Sequence, residues 1–328
     1  MKKLKRGLAG LGIVGKSVYD ILLKDQEIIN ARSANKLELV AVSARSKKDF
    51  IDESKVRFVA NSLDLASDPE IDIIVEVIGG DGIASEILET AIKNGKKVVT
   101  ANKALLAVKG LKLAALAEEN GGYIGFEASV AGAIPIVKTF KEGLAANEIK
   151  EFYAILNGTC NYILTKMKNE NIDFSVALKQ AQDLGYAESD PTFDIEGVDT
   201  AHKLTLLAAI ASGCKPDFND IYIEGITKVN VDDIRLADEL GYKIKLLAVY
   251  KNAGAFQAVY PALVSVAQKI SQVDDSFNAI LTRASNAGEN LTFLSPSFAS
   301  SSTTRPQNGH STFVPIHQIF DSLMIFIG

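Results

Sequence analysis

Cysteine is almost missing from this 328-residue chain. Cys160 and Cys214 are the only two, both in apolar surroundings, so no disulfide framework is indicated and a reducing compartment is; both thiols are expected to be free and buried. Long apolar runs are missing as well. The basic opening Met1-Lys2-Lys3-Leu4-Lys5-Arg6 has the look of a secretion signal, but glycines at 7, 10, 12 and 15, and then Lys16, interrupt the apolar stretch that should follow. No later segment approaches the roughly 18 consecutive apolar residues of a membrane span, so a cytoplasmic protein with no membrane partner is expected. There is no excess of positive charge: the net charge of -5 gives no broad attraction toward nucleic acid. Nor is there an internal repeat. What is present, 47% hydrophobic and 23% charged residues, is the balance of a soluble globular protein. Single cores stop growing at roughly 250 to 300 residues, so the length calls for two domains.

Through residues 1–126, short β-branched apolar runs alternate with segments of helical period, the pattern of a parallel sheet covered by helices. Strands are expected at 4–9, 37–42, 56–60, 71–77, 97–100 and 123–126, with helices between them at 14–23 and at 85–94, the latter ending before Gly95. This is an α/β, doubly wound, Rossmann-type domain. From Glu127 to Phe293 the helices lengthen, and strands are expected at 149–156, 221–223, 245–250 and 255–259, giving a second, α+β domain. Residues 294–328 change composition: no lysine, two charged residues, seven serines and three of the eight prolines. Such a stretch is expected to be a disordered or frameshifted tail, with an apolar end at 320–327.

Gly10-Leu11-Gly12-Ile13-Val14-Gly15 holds Gly-x-Gly-x-x-Gly directly after a strand and at the opening of a helix. The first glycine permits the tight turn, the second lets backbone approach a pyrophosphate, and the third lets helix and strand pack closely. Similar turns occur without a ligand, but the position favours a dinucleotide. The acidic residue that would hold a ribose 2′-hydroxyl after the second strand is replaced by Ser43-Ala44-Arg45-Ser46-Lys47-Lys48. Arg45 would attract a 2′-phosphate, which favours NADP over NAD, or tolerance of both; the alternative is a solvated basic loop.

The richest segment runs from Ala181 to Lys203. Five carboxylates fall within residues 188–199, and Pro191 and Gly197 force irregular backbone before a helix beginning near Val198. Glu188, Asp190 and Asp194 can therefore converge from a loop, while Asp199 and Lys203 share one helix face a turn apart. On spacing alone this would be a surface ion pair worth a few tenths of a kcal/mol. His202 points another way and is expected to pack or to lie at the surface.

The pattern Ala-x3-Gly-Tyr-Ala-x2-Asp-Pro-x2-Asp-Ile-x-Gly-x-Asp-x3-Lys over 181–203 is complete here and resembles the hallmark of the homoserine dehydrogenases. Asp72–Gly80 (DIIVEVIGG), Val98–Leu105 (VVTANKAL), Phe126–Val137 (FEASVAGAIPIV) and Leu156–Met167 (LNGTCNYILTKM) are similar to the same family, and the resemblance covers residues 1 to about 293. It implies interconversion of L-aspartate 4-semialdehyde and L-homoserine with NADP or NAD, on the path to threonine, methionine and isoleucine. Lys203 corresponds to the family's catalytic lysine, with Asp199 orienting it and its water. A free lysine, with a pKa of about 10.4, is poorly matched to neutral pH, so a nearby cation such as Lys103, desolvation, or ordered water must assist. Glu188 and Asp194 correspond to the carboxylates near the substrate's ammonium and hydroxyl, with Lys103, Gly158, Thr159 and Tyr186 also at the substrate. Thr100, Asn102 and Lys103 join the glycine turn and Arg45 at the cofactor. Glu127 and the backbone carbonyls of Val130, Gly132 and Ile134 correspond to a sodium site, although a helix-capping loop explains those residues equally well from sequence. A homodimer built through the second domain's sheet is also implied.

After Phe293 the resemblance is expected to end: the family continues with a glycine-rich turn and a helix that returns to the nucleotide domain, where this chain has Leu294-Ser295-Pro296-Ser297. A family regulatory domain is likewise not seen. The alternative to an active enzyme is thus a catalytically impaired fragment that associates with full-length subunits; a third reading is a dehydrogenase of another amino acid.

Overall fold

The computed structural model describes residues 2–286, apart from Ala34, Ala133 and Pro216, and the backbone of residues 288–296. The chain forms two compact units, one through Ser129 and one from Val130 onward. In the first, β1 (Lys3–Ala9), β2 (Lys36–Ser43), β3 (Arg57–Val59), β4 (Ile73–Glu76), β5 (Lys97–Thr100) and β6 (Ile124–Gly125) make a sheet in the order β3-β2-β1-β4-β5-β6. Every pairing is parallel. That order is the doubly wound dinucleotide-binding topology, whose ligand crevice lies at the carboxyl ends of the strands.

The first unit's strands read as nearly continuous apolar runs because a sheet covered on both faces leaves no face for water. Leu4, Leu8, Leu37, Val42, Ile73, Val75 and Val99 from the strands pack with Val18, Leu22 and Ile29 from the flanking helices. Fully burying each such side chain contributes about 1.5–3 kcal/mol. The helix Ile83–Lys93 stops where Gly95, at φ +69, donates its N–H to the Ile92 carbonyl at 2.9 Å. Arg6 interrupts this pattern. It is fully buried in β1, and none of its three guanidinium nitrogens has a hydrogen-bond partner among the described residues. Burial pushes its pKa down to about 10, against the opposing attraction of Glu38.

The second unit holds β7 (Ile149–Ile155), β8 (Tyr222–Ile223), β9 (Tyr242–Lys251), β10 (Phe256–Ser265), β11 (Phe277–Ala284) and β12 (Gly288–Pro296), in the order β12-β11-β7-β9-β10-β8. All pairs are antiparallel except β10 with β8. Three features depart from expectation. The strand β10 continues through Pro261, because β8 pairs only with Ala258 and Val259 and leaves an edge beyond them, where proline is tolerated. The strand β11 places Asn278 and Thr282 among its buried residues, which erases the apolar alternation a strand should show. Its partner β12 runs to Pro296, three residues into the stretch expected as a tail; the remainder of that stretch, 297–328, lies outside the described residues. Among the described residues no helix is long and apolar enough to cross a membrane.

Candidate functional site

In the first unit the glycine turn separates structural from ligand demands. Gly10 adopts φ +104, and a Cβ there would meet the Val77 carbonyl oxygen at 2.7 Å; a Cβ at Gly15 would lie 1.9 Å from the Gly10 oxygen. Both positions need glycine for the fold alone. A Cβ on Gly12 would meet nothing within 4 Å, so packing does not require glycine there. Gly12 instead leaves open space before the helix Ile13–Lys24, whose first amides receive no side-chain cap. A pyrophosphate fits this cradle: it needs close backbone approach and amide donors at a helix start. Leu11 and Gly15 are buried, Val14 is half-buried, and Gly12 and Ile13 face solvent.

The end of β2 is tied to this turn, since Gly10 N–H donates to the Ser43 carbonyl at 2.9 Å and the Ser43 and Ser62 hydroxyls lie 2.7 Å apart. Arg45 follows, exposed, and makes no hydrogen bond or ion pair among the described residues, whereas Lys47 is paired with Glu53 at 2.5 Å. Lys48 reaches only the Ser46 hydroxyl, at 3.4 Å, so Arg45 and Lys48 are the cations of that loop without an ion pair among the described residues.

A second network, which sequence reasoning missed, orders the loops after β4 and β5. The carboxylate of Glu76, fully buried, accepts from the N–H groups of Ile78 at 2.7 Å and Gly79 at 3.1 Å, and from the Thr100 hydroxyl at 2.6 Å. Thr100 in turn accepts from the Asn102 N–H at 3.0 Å. Asn102 caps the helix Lys103–Glu119 by accepting from Leu105 N–H at 3.1 Å, and its amide donates to the Gly80 carbonyl at 2.5 Å. Lys103, half-buried, is the first residue of that helix. At the end of this unit, Glu127 is buried in the short 3-10 turn Glu127–Ser129. Val130 and Ile134, at the start of the second unit, are buried, and Gly132 is half-buried. No group of three or more His, Cys, Asp or Glu arranged to hold a metal occurs among the described residues; a site of one carboxylate and three carbonyls would not form such a group.

In the second unit the motif folds into a buried network. The short helix Thr192–Ile195 is followed by Gly197, at φ +82, which turns the chain into the helix Val198–Ser212. Gly225 packs so closely against this corner that a Cβ would lie 2.3 Å from the Ile195 carbonyl oxygen. The corner sets Asp194 and Asp199 on either side of one amide: Asn157 Nδ2 donates to Asp194 Oδ1 at 2.7 Å and to Asp199 Oδ2 at 3.1 Å. Lys203 Nζ donates to the same Asp199 oxygen at 2.7 Å and to the Leu156 carbonyl at 2.7 Å. Asp199 is only 4% exposed, so this is no surface ion pair. Asn157 also caps the helix Gly158–Glu170, accepting from Cys160 N–H at 2.9 Å.

Nearby, the Thr159 hydroxyl donates to the Tyr186 carbonyl at 2.7 Å, and the Tyr186 ring lies 4.7 Å from that of Tyr162. Gly158, Thr159 and Tyr186 are half-buried. Of the three loop carboxylates, only Asp194 joins the network. Asp190 closes a local turn on Thr192, whose hydroxyl and N–H hold its carboxyl below the usual carboxylate range. Glu188 is exposed and its carboxylate has no partner among the described residues. The Cys160 thiol donates to the Asp194 carbonyl at 3.2 Å; burial, and then the charges of Asp194 and Asp199, push it well up, so it stays protonated and inert. Cys214, expected to be buried, is exposed just past the end of the helix Val198–Ser212. His202 stacks on Phe218 at 4.5 Å and lies near Phe193.

The profile of homoserine dehydrogenase matches residues 135–305, and that of the homoserine dehydrogenase NAD-binding domain matches residues 10–127. The chain belongs to the homoserine dehydrogenase family. The homoserine dehydrogenase of Pseudomonas aeruginosa is 43% identical over 293 residues, which are 89% of this chain and 68% of that protein. A crystal structure of the enzyme from Thiobacillus denitrificans superposes with a TM-score of 0.88 at 40% identity, covering 99% of this chain and 73% of the other. A hyperthermophilic archaeal homoserine dehydrogenase in complex with NADPH superposes with a TM-score of 0.79 at 25% identity, covering 98% and 96%. The match therefore extends past residue 293. As a homoserine dehydrogenase this chain is an oxidoreductase acting on a CH–OH group of a small molecule, with a domain for a nicotinamide dinucleotide. Another amino acid's dehydrogenase is set aside, and nothing in these likenesses speaks specifically for an impaired fragment.

Proposed function

We propose that this chain itself reduces L-aspartate 4-semialdehyde to L-homoserine, and runs the reverse reaction, with Lys203 as the proton donor. The supporting observation is the ammonium of Lys203, which among the described residues spends two of its three hydrogens, on Leu156 and Asp199, and so has one to offer a ligand. When bound, the dinucleotide supplies the hydride that the aldehyde carbon accepts. Lys203 donates its remaining hydrogen bond to the aldehyde oxygen and passes the proton as negative charge develops there, so that aldehyde, hydride and proton together give the alcohol. Asp199 holds the lysine in place and balances its charge. Glu188 and Asp194 take the substrate's ammonium and hydroxyl, Lys103 takes its carboxylate, and Gly158, Thr159 and Tyr186 line the site.

Gly10, Leu11, Gly12, Ile13, Val14 and Gly15 cradle the pyrophosphate, with Thr100, Asn102 and Lys103 also at the cofactor. Arg45, exposed and unpaired among the described residues, selects NADP through its 2′-phosphate. Glu127 and the carbonyls of Val130, Gly132 and Ile134 hold a sodium ion, a hard cation suited to oxygen ligands. The protein works in the cytoplasm as a homodimer formed through the second unit's sheet. The test is NADPH consumption by the purified chain with aspartate 4-semialdehyde: steady loss of NADPH absorbance is expected, and a flat trace from soluble, folded protein overturns the reading.

A further inference from the structure

We infer that Asn157 is a positioning residue of the reaction: its side-chain amide bridges Asp194 and Asp199 and thereby aims Lys203. This rests on the catalytic reading above. The amide has two hydrogens, and each goes to a different carboxylate, Asp194 Oδ1 at 2.7 Å and Asp199 Oδ2 at 3.1 Å. Those two oxygens therefore lie within about 6 Å of each other, with Asp199 buried and Asp194 half-buried, where like charges repel unless a donor stands between them. Lys203 meets Asp199 on the same Oδ2 that accepts from Asn157, so a rotation of the Asp199 carboxylate moves the ammonium with it.

The remaining acceptor atom of Asn157 anchors the bridge. Its Oδ1 takes the Cys160 N–H at 2.9 Å, which locks the side chain to the first turn of the helix Gly158–Glu170. One residue thus joins three pieces of chain: the turn after β7, the corner at Asp194, and the helix carrying Asp199 and Lys203. The neighbouring backbone completes the setting, since Leu156, the residue before Asn157, supplies the carbonyl that holds Lys203.

The two roles of Asn157, cap and bridge, separate by substitution. Serine and aspartate cap helices about as well as asparagine, yet serine is too short to span both carboxylates and aspartate has no hydrogen to donate. Asn157→Ser is expected to lower the melting temperature only modestly, because the cap is kept while the bridge is lost, and Asn157→Asp to lower it further, because a third carboxylate then faces Asp194 and Asp199. The kcat for semialdehyde reduction falls about 10- to 100-fold, in line with a misplaced reacting group, and the KM for NADPH stays within about two-fold. A parent-like kcat in Asn157→Ser overturns the inference, as does a loss of activity accompanied by an equal rise in the NADPH KM and a large fall in melting temperature, the signature of general loosening. A measurement without turnover decides the case even if the parent chain proves inactive. In the cycle Asn157→Ser, Lys203→Met and the double variant, the thermal shifts are non-additive if both residues act on one carboxylate; additive shifts refute the bridge.

Discussion

Arg6→Met is expected to stabilise this protein. Arg6 sits in β1, the strand that links both halves of the first sheet, with no solvent exposure and no hydrogen-bond partner for its guanidinium among the described residues. Burial draws its pKa down to about 10 even with Glu38 nearby. Each pKa unit corresponds to about 1.4 kcal/mol, so the charge costs the fold roughly 3 kcal/mol. Methionine retains most of the length, removes the charge, and adapts to the gap. Imperfect filling returns part of the gain, leaving about 2 kcal/mol. Over a unit of this size that raises the melting temperature by several degrees. The assay is thermal unfolding of the full chain at pH 7, with amide exchange of β1 and β4 to locate the effect. The sign of its pH dependence follows from the direction of the shift: the folded state disfavours the charged form, so the penalty on the parent is complete at neutral pH and shrinks as pH rises through about 10. The advantage of Arg6→Met should therefore be flat from pH 6 to 8 and narrow above 10. An unchanged or lowered melting temperature would show that the guanidinium is compensated and would refute the reasoning.

Lys203→Met should lower kcat by about 10²- to 10⁴-fold, the usual worth of a positioned acid or base, with NADPH binding unaffected by calorimetry; a smaller loss moves the proton donor elsewhere. Arg45→Ala should raise the KM for NADPH at least ten-fold while leaving that for NADH nearly unchanged, and equal effects on both would remove Arg45 from the 2′-phosphate. Gly12→Ala and Gly15→Ala separate the two demands on the glycine turn. The first has room for its methyl and should lose dinucleotide affinity without losing stability, whereas the second collides with the Gly10 carbonyl and should lose both. Glu76→Ala should weaken dinucleotide binding and cost stability together, because three donors in a buried loop network are then left unpaired; unchanged NADPH affinity would show that the loops after β4 and β5 do not depend on it.

Local pattern alone carried much of this molecule. The parallel strands of the first unit announce themselves because burial on both faces requires unbroken apolar runs. The glycine turn is legible because close approach leaves no other residue, and the pairing of Asp199 with Lys203 follows from one helical turn. What lay beyond reach depends on partners distant in sequence. The strand β11 carries buried Asn278 and Thr282, and it exists because β7, more than a hundred residues earlier, receives it. Pro261 breaks a strand in isolation and is permitted only because β8 is too short to cover it. That Asp194 turns inward follows from its bond to Asn157, thirty-seven residues earlier, while Asp190 closes a local turn on Thr192 and Glu188 is exposed. Asn157 reads in sequence as a helix cap; only the folded chain brings Asp194 and Asp199 to its other end. Arg6 reads as one more basic residue near the start of the chain, and only the packing of β1 against its neighbours makes it a buried charge. Period and spacing report which residues share a face, because they follow from the geometry of one element. Which faces then meet, and which polar atoms find partners there, is set by the packing of elements far apart in the chain.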